Sequence, residues 1–135
     1  MILSPHEIVW LIDWAGWTGD DPTTGLPHRI LGCAVFLGES AGNTAIMGRS
    51  TTGDNLGQRD HGLTQVSGRW NGDKIQQTPN WRDPRVNITL AKRIWDEFQA
   101  SKGNGWLAWS VYSSKSYEQW LPDARMGALF PWPPP

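Results

Sequence analysis

Glu39 stands at the end of a run, residues 30–38 (ILGCAVFLG), that is apolar nearly all the way round a helix. Such a run makes a central, buried helix. A carboxyl at its end is held partly out of water. Burial disfavours the charged form and raises a carboxyl pKa, so the group stays protonated near neutral pH and can give a proton to a leaving oxygen. Cleavage of a glycosidic bond needs an acid of that kind. A helix-end glutamate turned to solvent is the competing reading, and this feature alone does not separate the two. A second carboxylate could stabilise a developing cation, act as nucleophile or orient water. Asp54 and Asp60 both lie in the segment that follows. Asp54, in TTGDN, also suits a turn, and Asp60 also suits a cap at the end of a hairpin.

Other chemistries are poorly served. His6, His28 and His61 do not have metal-ligand spacing. There is no phosphate-binding loop and no Ser/His/Asp or Cys/His signature, so no metal or cofactor is expected. His61, beside Asp60, faces either a cleft or solvent. The single cysteine, Cys33, lies in the apolar run and reads as a small buried hydrophobe. It cannot form an internal disulfide.

Glu39 is positioned by elements whose ends are written locally. Ser4, Pro5 and Glu7 spell a capping box with proline in the first turn, and Ile8, Leu11, Ile12 and Ala15 continue as a helical stripe. Residues 16–27 read as loop. A second helix spans about residues 27–40, with Gly42 as its stop. Residues 44–66, rich in Gly, Thr, Asn and Asp, read as a β-hairpin or three short strands, and residues 68–81 as loop. Asp83 and Pro84 open a third helix that Gly103 ends. Shorter helices are expected over residues 106–112 and 123–130. The final PWPPP cannot be regular helix and reads as a tail or the start of a linker. The fold class is α+β, mostly helical, with a small β insertion directly after the helix that carries Glu39.

Composition narrows the partners. A chain of 135 residues suits one domain, residues 1–130, with 131–135 as tail. Twelve basic residues against 13 acidic ones give no reason to expect nucleic acid. No run approaches the roughly 20 apolar residues that span a bilayer. Ser4, His6, Glu7 and Asp13 stand where a signal peptide needs a basic start and an unbroken apolar stretch, so export by the standard route is not expected. Ten tryptophans are unusual in so short a chain. Trp10, Trp14 and Trp17 have helical spacing and read as packing. Trp70, Trp81, Trp106 and Trp109 fall in or near expected loops, where a flat apolar face with one N–H donor suits sugar rings.

Four pieces in order then resemble the lysozyme superfamily. ESAGN and GLTQV resemble the ES and GLMQ motifs of soluble lytic transglycosylases and goose-type lysozymes. RDHGLTQVSGRWN resembles the hairpin segment of chicken-type lysozymes, in which an aspartate leads to a glutamine, a hydrophobic residue and then Arg-Trp. DPRVNITLAKRIWDEF and WLAWSVYSSKSY resemble the N-I-x-x-A helix and the A-x-Y-N-x-G segment of transglycosylases. The resemblance covers about residues 34–117. It implies a lysozyme-like fold with a cleft between helical body and hairpin, and Glu39 as the general acid. It further implies Asp60 as the hairpin aspartate, Gln65 lining the sugar cleft, Tyr112 near the acid, and Asn87 in a structural role. Ser113 replaces the usual asparagine after the tyrosine, a departure that bears on fine positioning of the site. Trp70, Trp106, Trp109 and His61 complete the candidate sugar contacts.

The implied activity is cleavage of peptidoglycan between N-acetylmuramic acid and N-acetylglucosamine, by hydrolysis with two carboxylates or, with the acid alone, by transglycosylation to a 1,6-anhydro sugar. The alternative of another class is a catalytically silent glycan-binding or structural phage tail domain. The resemblance also implies a bacteriophage lysin, monomeric or a module of a larger protein. It would sit in the host cytoplasm before lysis or on the virion.

Overall fold

The computed structural model describes residues 1–48 and 59–129. Asp54 and the PWPPP tail lie outside the described residues. Helix α1 (Pro5–Ala15) begins as its sequence dictates. The Ser4 side chain accepts from the Glu7 amide at 3.3 Å, and the Glu7 carboxylate accepts from the Ser4 amide at 3.1 Å. Gly16, at φ 104°, ends it in a left-handed conformation that suits glycine.

Helix α2 (His28–Ser40) runs through the centre, and Leu31, Cys33, Ala34, Val35 and Phe36 are fully buried along it. It packs against α1 and the C-terminal helix. Its stop is Ala41 rather than Gly42: Ala41 takes the left-handed turn at φ 53°. Gly42 follows at φ 83°, where a Cβ would meet the Leu3 carbonyl.

The chain then forms a three-stranded antiparallel sheet in the order β1 (Met47–Gly48), β2 (Asp60–His61), β3 (Val66–Ser67). Asp60 pairs with Gly48 on one side and Ser67 on the other. Residues 68–76, expected as loop, form helix α3 (Gly68–Gln76) with a break at Asn71 (φ −128°). The Ser67 hydroxyl caps it by accepting from the Trp70 amide at 3.4 Å. Two glycines and a broken turn hid this helix from a periodicity reading. Helix α4 (Pro84–Lys102) keeps its expected ends, Asp83 and Gly103. The helix expected over residues 106–112 divides into a 3-10 turn, Gly105–Ala108, and α5 (Ser110–Ser113). A second 3-10 turn, Ser116–Trp120, leads into α6 (Leu121–Leu129). Among the described residues no helix is long and apolar enough to cross a membrane.

Trp17, Phe36, Trp106 and Trp109 pack edge-to-face and stacked at centroid separations of 5.6–6.0 Å. A buried indole N–H usually finds an acceptor; Trp17 Nε1 and Trp95 Nε1 have none among the described residues. Trp106 Nε1 donates to His28 Nδ1 at 3.1 Å and Trp109 Nε1 to the Thr64 carbonyl at 2.6 Å. Trp10 packs against the core as expected, partly buried, whereas Trp14 departs from that role: it stacks on Trp10 at 6.4 Å and is 49% exposed. Trp17 lies beyond the Gly16 cap and is nonetheless buried in the core, as expected.

The sheet is pinned to α4 by Asn87, which is wholly buried. Its Oδ1 accepts from the Thr64 amide at 2.9 Å and the Thr64 hydroxyl at 2.7 Å, and its Nδ2 donates to the His61 carbonyl at 3.0 Å. Gly62, at φ 76°, leaves the space that the Asn87 side chain fills. Asn87→Ala would strand these partners away from water, at about 1–3 kcal/mol for each unsatisfied buried group. We expect a loss of about 3 kcal/mol or more, read as a lower urea midpoint at unchanged slope. A loss under about 0.5 kcal/mol, the range of an ordinary surface substitution, would refute the pin.

Candidate active site

Two elements bring carboxylates together. Glu39 occupies the last turn of α2, half-buried, and Ser40 closes that turn: its hydroxyl donates to the Phe36 carbonyl at 3.1 Å and accepts from the Gly42 amide at 3.2 Å. The Glu39 carboxylate accepts a hydrogen bond from the Val111 backbone amide in α5. Gly38 permits that approach, because a Cβ there would lie 2.6 Å from Val111 Cγ1 and 3.3 Å from Trp120.

Burial pushes the Glu39 carboxyl up to about 7; the Val111 hydrogen bond opposes the rise and the negative charge of Asp60 adds to it. The hairpin aspartate is therefore an electrostatic neighbour of the helix-end glutamate. Asp60, half-buried in β2, is itself raised by burial. A protonated Glu39 beside a desolvated Asp60 is a pair that can donate a proton and stabilise positive charge in one place.

A groove of about 320 Å³ lies between β3 and α3 on one wall and α4 with the Gly105–Ala108 turn on the other; neither Glu39 nor Asp60 lines it. Gln65, Trp70, Lys74, Glu97, Phe98 and Trp109 are among its lining residues. It begins at β3, the neighbour of the strand that holds Asp60. Its other wall includes Trp109, two residues before the Val111 that meets Glu39. Trp70 lines the groove with 75% of its surface exposed. Gln65, at φ 52°, donates from Nε2 to the carbonyls of Gly62 at 2.8 Å and Ile46 at 3.3 Å. That orients its side chain while it lines the groove.

Several expected sugar contacts are corrected by burial. Trp106 is completely buried and has no face for a ligand. Trp109 keeps 3% of its surface and offers the groove only an edge. His61 faces neither cleft nor solvent: it is buried edge-on against Trp81 at 4.9 Å, and desolvation draws its pKa below the usual 6.5. Trp81 itself is buried under the Arg82 guanidinium, 4.1 Å from its ring. Tyr112 is buried too. Its hydroxyl accepts from Asn104 Nδ2 at 2.9 Å and donates to Asp21 at 3.4 Å, so it anchors α5 instead of reaching into the groove. The sequence reading missed Val111, whose contribution is a backbone amide and has no residue signature. It also missed Lys74, because α3 was read as loop, and with it the 3.4 Å pairing of Lys74 with Glu97 of α4. No known family model, curated protein or solved structure matches this chain.

Proposed function

We propose that this protein is a glycosidase of bacterial peptidoglycan, cutting between N-acetylmuramic acid and N-acetylglucosamine. The observation that carries the reading is Glu39: a half-buried carboxyl whose pKa burial pushes up to about 7, with the charge of Asp60 acting on it. Glu39 protonates the glycosidic oxygen. Asp60 stabilises the oxocarbenium ion that develops, or positions water. Trp70 and Gln65 hold sugars on the groove side, and the Val111 amide steadies the Glu39 carboxylate after its proton has left.

Incubation with purified peptidoglycan, followed by mass analysis of the released muropeptides, tests this. Reducing ends are expected. Anhydro ends would assign the same acid to a transglycosylase, and no release at any pH would leave a glycan-binding domain.

A further inference from the structure

A second surface lies along the same helix as the groove. The exposed Trp14 is backed by Trp10, the two rings nearly parallel at 17°. The Arg85 guanidinium sits 5.5 Å from the Trp10 ring and 5.9 Å from that of Trp14. Beside this platform is a recess of about 370 Å³ between Trp14, Thr78, Arg85, Thr89, Leu90 and Arg93. Its size is that of a small-ligand site.

Three features give the recess its chemistry. Trp14 offers a flat apolar face, held by its stack. Val86 and Leu90 form an apolar floor, while the Thr78 and Thr89 hydroxyls donate to backbone carbonyls and keep acceptor capacity. Both charged lining residues are arginines, and no carboxylate lines the recess among the described residues. Arg85 makes no ion pair among them either; Arg93 has a loose one, 3.6 Å from Glu97. In a chain of net charge −1, two guanidiniums beside an exposed indole select a ligand that is both ring-faced and anionic.

We propose that this recess is a second binding site for the substrate strand, with a sugar ring on Trp14 and a carboxylate of the strand on Arg85 and Arg93. The identity of the strand rests on the function proposed above. The recess takes residues 85–93 of α4, and the groove takes Ile94, Glu97 and Phe98 of the same helix. Glu97 stands between them, paired to Lys74 on one side and Arg93 on the other. The site would hold the enzyme on an insoluble wall while the groove works on one strand.

The test uses the full chain carrying Glu39→Gln, so that binding is read without cleavage. The probes are intact peptidoglycan sacculi, sacculi whose carboxylates have been capped as neutral amides, and an uncharged N-acetylglucosamine hexamer. Trp14→Ala and, separately, Arg93→Gln should each lower affinity for intact sacculi, by about tenfold for the loss of one good contact. Affinity for the hexamer, held in the groove, should not change. Capping the carboxylates should weaken the unsubstituted surface by a similar factor. Arg93 is well exposed, with 62% of its side chain in solvent, so its variant tests the site even if Trp14→Ala fails to fold. Unchanged retention of Arg93→Gln on intact sacculi would overturn the proposal, as would equal affinity for capped sacculi. A dimer that Trp14→Ala turns into monomer would assign the face to a second copy and overturn it too. The function proposed above fails separately, if the chain with Glu39 intact releases no muropeptides.

Discussion

Glu39→Gln is expected to remove nearly all lytic activity while the protein stays folded and still binds glycan. Gln keeps the shape and can still meet the Val111 segment, but it has no carboxyl proton for the leaving oxygen. General acid catalysis contributes about 10²–10⁴ in rate, so the fall in kcat/KM should be of that order. With Glu39 present, kcat/KM should decline as pH rises through about 7, where the acid ionises. The same substitution has a signed effect on stability. Between the ordinary carboxyl value of 4.5 and about 7, the folded chain holds a proton that the unfolded chain has lost. Stability carried by this group is therefore complete below about 4.5 and is lost as pH rises through about 7. A shift of that size corresponds to at most about 3 kcal/mol. Glu39→Gln should accordingly match the parent near pH 4 and melt higher above pH 7. Wild-type lysis by the variant would remove Glu39 from the mechanism. A lower melting temperature above pH 7 would make Glu39 a structural residue.

Asp60→Asn decides between the two chemistries. Asn is nearly isosteric and uncharged, so the sheet register around position 60, Gly48 on one side and Ser67 on the other, should survive. If Asp60 stabilises the cation or orients water, its loss should cut the rate about 10²–10³-fold, the usual cost of one preorganised electrostatic group. The substitution should also lower the pKa of Glu39, because the Asp60 charge is among the causes that hold it up. The basic limb of the pH profile would then move toward acid. A carboxyl titration of the variant, followed by NMR, reads this without any turnover. Near-wild-type activity together with anhydro products would place the chemistry in the substrate's own N-acetyl group, and Glu39 would act alone.

The features legible in the sequence are those set by neighbours a few residues apart. Ser4 with Glu7, Asp83 with Pro84, and Gly103 satisfy or stop the ends of their own helices, and each acts as read. The apolar run before Glu39 could only be a central helix, because exposing Phe36, Leu37 and their neighbours to water costs too much. That made Glu39 an acid candidate, and its half-burial was decided by the packing of other elements around the helix end. Helix α3 was not legible, since its start depends on one serine hydroxyl and its body is broken at Asn71. The roles of Trp14, Trp106 and Trp109 were not legible either. An indole packs or faces solvent according to what approaches it from elsewhere in the chain. Trp106 was drawn into the core by His28, 78 residues away, and Trp109 by the Thr64 carbonyl, 45 residues away. Trp14, at helical spacing, was left with its face open. The electrostatic partnership of Glu39 with Asp60 and the Val111 amide belongs to the same class. Its parts come from α2, β2 and α5, and only the packing of these elements, held by Asn87 and by the space at Gly38, sets the acid's pKa. Local sequence determined that a carboxyl would stand at the end of a buried helix. Tertiary structure decided which charge and which amide would face it, because electrostatic and hydrogen-bond energies depend on distances that no local pattern encodes.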